Sequence, residues 1–218
     1  MTIYVSPVGY DSTRVTRPIL SEGIDDGDRI ILLRPDGHEH DNDARASEAI
    51  EDIERMVNQV QPEVAVTTRT IPPDDFQAAV LECSALIADG SDDLVINFGG
   101  GPREIYLAMA IATLAHPDAV DKSLQFSDLD GSVKEIPIPQ ISGALPESAI
   151  ETLKIIVQHE SGVGIPDLAD ELDRAKSTVS RHIRQLEDMD AVTSEMHGKT
   201  KYVMPTFSGE LRCHMEMK

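Results

Sequence analysis

Three short stretches of this chain hold residue types whose spacing can do chemistry. The first is Asn97-Phe-Gly-Gly-Gly-Pro-Arg103. Three consecutive glycines let a backbone approach a ligand closely, and a helix beginning at the arginine would offer unpaired N–H groups and a positive dipole to an anion. Arg103 adds a charge suited to phosphate. The second is Ser6-Pro-Val-Gly-Tyr-Asp-Ser-Thr-Arg14, where Ser12 and Thr13 can cap a following helix or donate to phosphate, with Arg14 and Arg17 nearby. The third runs from Ile165 to Glu187 and contains Lys176-Ser-Thr-Val-Ser-Arg-His-Ile-Arg184. Short hydroxyls at a helix start can bind phosphate, and arginines one turn on can reach guanine edges or the DNA backbone.

The first stretch lacks the third glycine of a dinucleotide fingerprint and the Gly-Lys-Ser/Thr ending of a P-loop, which disfavours NAD binding and NTP hydrolysis. As a purely structural element it would be a glycine turn for tight strand–helix packing. His38-Glu-His-Asp-Asn-Asp43 holds metal-ligating types in an acidic loop with no distant partner, and a solvated loop is the favoured reading, so no metal site is expected. His116, His159 and His214 are isolated and expected to be structural.

These residues need elements to position them. In the N-terminal part, apolar β-type runs at 2–6, 29–33, 63–70 and 94–97 alternate with helical patterns at 13–23, 44–60, 74–88 and 103–116. Runs at 123–127 and 133–138 flank a turn at 128–131. The pattern predicts an α/β fold: an open Rossmann-like, mostly parallel sheet with an antiparallel edge hairpin. Loops after the first and fourth strands would then meet at the carboxyl edge, where such sheets take ligands. Alternating prolines at Pro137 and Pro139 forbid a helix and mark a connector, predicted at 139–145, between a domain at 1–138 and a smaller one at 146–218.

The smaller domain reads as a winged helix-turn-helix. Helices are predicted at 146–159, from Pro166 through Leu172, and at 176–189. Val179, Ile183 and Leu186 face the core, which leaves Lys176, Ser177, Thr178, Ser180, Arg181 and Arg184 as candidate DNA contacts. A hairpin turning at His197-Gly198 would form the wing, with Lys199 and Lys201 two apart on one strand face.

Composition sets a tension. Asp and Glu number 39 against 19 Lys and Arg, for a net charge of −20, and only seven of the basic residues are Lys. Residues 1–142 hold 10 basic and 26 acidic residues, and 143–218 hold 9 and 13. A DNA-reading surface must therefore be local. Acidic excess with scarce lysine looks like the composition of a salt-adapted organism's proteins, the alternative being an acidic mesophilic protein. Cys83 and Cys213 lack the spacing of a zinc site and fit a reducing, cytoplasmic setting. No signal peptide is evident, and the longest apolar run, 105–115, is too short to span a membrane, so no membrane partner is expected.

The segment Ser177-Thr-Val-Ser-Arg-His182 closely resembles the recognition helix of winged helix-turn-helix regulators. With the loop after the first strand, the Asn97–Arg103 motif, the connector and the wing, the chain is similar over nearly its whole length to CRISPR-associated Rossmann-fold (CARF) transcriptional regulators of the archaeal type. That resemblance implies a homodimer that binds a cyclic oligoadenylate, notably cyclic tetra-adenylate, in a pocket across two N-terminal domains, and regulates promoters on double-stranded DNA. It implies that Gly9, Ser12, Thr13, Asn97, Gly99, Gly100, Gly101 and Arg103 line the pocket. This chain departs from the family's Thr-Gly-Gly-Thr-Lys: Gly99 and Pro102 replace the threonines and Arg103 the lysine. No catalytic residues or cofactor are expected. The alternatives are a ring nuclease cleaving cyclic oligoadenylate in the same pocket, and a regulator whose sensor takes another ligand or none.

Overall fold

A computed structural model describes residues 1–36, 41–89, 92–159 and 161–216, without the side chains of 41–43. The chain divides into two units, Met1–Ile138 and Pro139–Lys218.

The first unit alternates β1 (Thr2–Pro7), α1 (Thr13–Glu22), β2 (Arg29–Pro35), α2 (Asp41–Val60), β3 (Ala65–Ile71), α3 (Phe76–Ala88), β4 (Asp93–Asn97) and α4 (Arg103–Ala115), and ends in β5 (Lys122–Phe126) and β6 (Val133–Glu135). The strands lie in the order β3-β2-β1-β4-β5-β6, all parallel except the antiparallel β5–β6 edge. This is the Rossmann-like sheet expected from the alternating pattern, with the edge hairpin in place. β1 and β4 are central, so both of their faces are covered and their sequences run apolar without alternation. On one face Ile3, Val5, Leu94 and Ile96 pack beneath Ala79, Cys83 and Ile87 of α3 and Ile105, Ala108 and Met109 of α4. On the other, Tyr4, Ile30, Leu32 and Val95 pack beneath Val15 and Ile19 of α1 and Ile50, Ile53 and Val57 of α2. Strand order reverses between β1 and β4, which opens a crevice at their carboxyl ends.

The last strand is shorter than the run 133–138 predicted for it. Ile136 still donates its N–H to the Ser123 carbonyl at 2.9 Å, but Pro137 and Pro139 have no N–H to continue the ladder.

The second unit comprises α5 (Glu147–Gln158), β7 (Val163–Gly164), α6 (Ile165–Glu171), α7 (Lys176–Glu187), β8 (Val192–His197), β9 (Thr200–Pro205) and α8 (Phe207–Met215). The strands form an antiparallel sheet in the order β7-β9-β8. Ala149, Leu153, Ile156, Leu168, Val179, Ile183, Leu186 and Val203 make its core. α5, α6 and α7 with the β8–β9 hairpin form a winged helix-turn-helix. Residues 139–142 belong structurally to this unit. Buried Arg212 of α8 donates through Nε to the Gln140 carbonyl at 2.7 Å and through Nη2 to that of Ser142 at 2.5 Å, and Gln140 N–H donates to Ser208 at 3.0 Å.

Candidate functional site

The crevice holds a cavity of about 710 Å³, lined from β1 and its loop by Pro7, Val8, Gly9, Tyr10 and Asp11, from α1 by Arg14 and Val15, from the end of β2 by Arg34 and Pro35, and by Ala46, Gly100, Gly101 and Pro102. Its size is that of a small-ligand site. The loops after β1 and β4 meet as expected, and they meet through backbone. A side chain on Gly9 would contact the Gly101 backbone at 3.4 Å. Gly101 has φ +95°, and a Cβ there would stand 2.5 Å from that of Pro7. Only glycine satisfies both demands.

Gly9, Gly100 and Gly101 are the residues from the implied ligand set that line this cavity. Asn97 is fully buried and occupied elsewhere. Its Nδ2 donates to Ser6 Oγ at 2.9 Å and to the Arg14 carbonyl at 3.0 Å. The cause lies in α1. Pro18 stands four residues after Arg14 and has no N–H to give that carbonyl, so the helix leaves an unpaired acceptor that Asn97 fills. Gly99 belongs to the same device, because a Cβ at that position would collide with the Arg14 carbonyl. Asn97 and Gly99 are thus scaffold residues that dock α1 against β4, not lining residues.

Ser12, at the start of α1, makes no side-chain cap hydrogen bond, and the Thr13 N–H donates to Asp11 Oδ1 at 3.0 Å. Neither residue lines the cavity, nor does exposed Arg103 at the first position of α4. The polar side chains that do line it and stand outside the implied ligand set are Tyr10, Asp11, Arg34 and Arg14, the last already noted beside Ser12 and Thr13. Arg14 pairs with Asp128 at 3.0 Å and, more distantly, with Asp11 at 3.5 Å. Partial burial pushes the Asp11 carboxyl upward, but hydrogen bonds from Thr13 and the Arg14 charge outweigh it and hold the group below its ordinary range. Arg45 stacks over the half-exposed Tyr10 ring, 4.8 Å from its centroid. An aromatic face and two arginines within a strongly acidic chain suit a ligand with planar bases and negative charge. Arg17 is turned to the β5–β6 turn, donating to the Gly131 carbonyl at 3.2 Å.

In the second unit, α7 begins at Lys176 with Ala175 as its N-cap, so no side chain closes its first N–H groups. Ser177, Arg181 and Arg184 are exposed and Thr178 is partly so. Ser180 departs from expectation: its hydroxyl donates to the Lys176 carbonyl at 2.8 Å, and that proton is spent within the helix. The wing lysines differ from the predicted pair. The hairpin turns at Gly198-Lys199, so Lys199 sits in the turn rather than on a strand face. Lys201 is held by Glu187 of α7 at 2.8 Å. Among the described residues, Lys176, Arg181, Arg184 and Lys199 make no ion pair.

His182, inside the recognition-helix sequence, is buried. Its Nδ1 hydrogen-bonds with Thr152 Oγ1 at 2.9 Å, and its Nε2 has no partner. Burial, helped by the charges of Arg181 and Arg174, lowers its pKa. Cys83 and Cys213 are both buried free thiols, and burial raises the Cys83 pKa to about 11. The histidines of 38–43 lie outside the described residues, and that segment's Asp41 and Asp43 side chains are likewise not described. Among the described residues no cluster of metal-ligating side chains is present. No described helix is long and apolar enough to cross a membrane.

Fold and cavity define a Rossmann-like α/β domain with a ligand-sized crevice at its switch point, joined to a winged helix-turn-helix. Residues 2–133 match the Csa3 CRISPR-associated Rossmann-like domain, and the chain belongs to that family. Among solved structures it is similar to Can2 from Sulfobacillus thermosulfidooxidans in complex with cyclic tetra-adenylate (9% identity, TM-score 0.44, covering 98% of this chain and 64% of that one). It is also similar to Enterococcus italicus Csm6 bound to cyclic hexa-2'-fluoro-hexa-dAMP (13% identity, TM-score 0.46, covering 86% and 55%). The transcriptional regulator SlyA aligns over 33% of this chain at 17% identity and a TM-score of 0.31, and the aligned part spans 52% of SlyA. No curated protein matches the chain.

Proposed function

We propose that the chain is a ligand-responsive DNA-binding regulator of CRISPR genes, acting in the cytoplasm as a homodimer that senses a cyclic oligoadenylate. The observation that carries this reading is the cavity of about 710 Å³ at the β1/β4 switch point, which sets Arg14, Arg34 and Tyr10 around one space in a chain of net charge −20. Arginines favour phosphates, and an aromatic face accepts a base of any sequence. A two-fold partner supplies the same surface again, so one cavity takes half of a symmetric ring. Family membership supports the ligand class, as does the backbone contact between the Gly9 and Gly101 loops that shapes the crevice floor.

The output is double-stranded DNA. Lys176, Arg181, Arg184 and Lys199 supply cations that make no ion pair among the described residues, and the open first turn of α7 supplies N–H groups for phosphate. The site binds and does not cleave. Ser12 and Thr13 stand outside the cavity lining, and its carboxylate, Asp11, is engaged with Thr13 and Arg14 and kept ionised.

Calorimetric titration with cyclic tetra-adenylate tests the sensor half. The expected result is one ring per two chains, with affinity reduced at least tenfold by Arg14→Ala and no linear product on prolonged incubation. Absence of heat in both proteins overturns the ligand, and linear di-adenylate at turnover overturns the non-enzymatic reading.

A further inference from the structure

The wing of the second unit carries a lysine that is not available as its position in the hairpin would have it. In the β8–β9 register, Met196 lies opposite Lys201 and Ser194 opposite Val203, so these four side chains share one face of the hairpin. Val203 on that face is fully buried in the unit's core. Lys201 therefore points inward to α7, where Glu187 meets it from the last helical turn. Lys201 Nζ lies 2.8 Å from one carboxylate oxygen of Glu187 and 3.1 Å from the other, and Ser194 Oγ donates to the first at 2.6 Å. The pair is only about a third exposed, with side-chain exposures of 37% for Lys201 and 30% for Glu187. Water screens it less than an ordinary surface pair.

Glu187 is badly placed by two other measures. A carboxylate in the last turn opposes the negative end of the helix dipole. It also sits on the helix whose exposed cations must approach DNA phosphates. A residue that costs something on both counts is explained by what it does to Lys201.

We propose that Glu187 is a charge-masking residue of the DNA-reading surface, which neutralises Lys201 and withholds it from the phosphate backbone. The wing then engages DNA through Lys199. The inference rests on the DNA-reading function proposed above. Its consequence is to hold down sequence-independent affinity, which grows with each phosphate neutralised.

The full chain is titrated onto mixed-sequence double-stranded DNA by fluorescence anisotropy over a series of salt concentrations. Glu187→Gln keeps an oxygen for Ser194 and removes the charge. Its binding is expected to be tighter, with the log–log salt slope steeper by about 0.9, the increment for one more phosphate contact. Lys201→Gln alone is expected to leave the wild-type slope unchanged, and the double variant Glu187→Gln/Lys201→Gln to return to it. A gain that persists in the double variant would mean simple relief of repulsion and would overturn masking. So would a loss of slope in Lys201→Gln equal to that of Lys199→Gln. If the wild type and every variant fail to bind DNA at the lowest salt, the DNA-reading proposal falls and takes the inference with it, an outcome distinct from the other two.

Discussion

Replacing Asn97 with alanine is expected to loosen the floor of the crevice, by an amount that its hydrogen bonds set. The amide nitrogen spends both protons, one on Ser6 Oγ and one on the Arg14 carbonyl. Ser6 is fully buried, and its remaining bond, to the Pro7 carbonyl at 3.4 Å, is long. The Arg14 carbonyl has no helical donor because Pro18 stands where one would be. Asn97→Ala leaves both acceptors unpaired, at roughly 1–3 kcal/mol each, and relieves the buried Asn97 Oδ1, which has no partner of its own. The net loss is about 2–3 kcal/mol. Spread over the unfolding entropy of Met1–Ile138, this lowers the midpoint of that unit by about 7–10 °C. Asn97→Asp is expected to be worse than alanine, since it sets a buried carboxylate against the Arg14 carbonyl, which has no proton to give it. Pro18→Ala supplies the missing N–H to Arg14. Combined with Asn97→Ala it is expected to recover about 1 kcal/mol relative to additivity. Scanning calorimetry of the full chain reads the wild type and the four variants. An Asn97→Ala midpoint within a degree of wild type, or strict additivity with Pro18→Ala, would refute the docking role given to Asn97.

Gly101→Ala meets both a left-handed φ of +95° and the Pro7 side chain. It is expected to destabilise the first unit by about 1–3 kcal/mol and to weaken cyclic tetra-adenylate binding in the same calorimetric titration. Arg181→Ala with Arg184→Ala is expected to flatten the salt slope of DNA binding by about two and to abolish promoter selectivity, read by competition against mixed-sequence DNA. The lowered pKa of His182 keeps it neutral in the folded unit. Below about pH 6.5 the unfolded chain takes up a proton that the fold refuses. Stability contributed by His182 is therefore present above that pH and lost as pH falls through the folded value. Melting of the second unit should drop between pH 7 and 5, and His182→Leu should flatten that dependence.

The sheet was legible because its central strands are buried on both faces. Thr2–Pro7 and Asp93–Asn97 carry apolar runs in a chain of alternating strands and periodic helices, and that pattern dictates the parallel order. The three-glycine motif pointed to the right loop for the same local reason. What escaped was set by partners distant in sequence. Asn97 looked like a ligand contact because its type fits one, but Pro18, some eighty residues earlier, leaves it a carbonyl to satisfy. Gly99 is required by that same carbonyl. Tyr10 reaches the cavity through the turn into α1, and its only local signal was an aromatic beside Asp-Ser-Thr in a chain with few aromatics, whereas Arg14 stood out as a cation next to those hydroxyls. Lys199 and Lys201 sit two apart, which spacing alone placed together. The turn at Gly198-Lys199 and the carboxylate of Glu187 separate them. Residues 139–142 read as a free connector, because nothing local reveals that Arg212 will take their carbonyls.

The central claim is that one chain couples a nucleotide-sized crevice to a DNA-reading helix. Its most direct test is the affinity of the full chain for its own promoter DNA, measured with and without saturating cyclic tetra-adenylate, in the wild type and in Arg14→Ala. The expected result is a ligand-dependent shift of about five- to a hundredfold in the wild type and none in Arg14→Ala. DNA affinity that is the same with and without ligand in a wild-type chain that demonstrably binds both would contradict it.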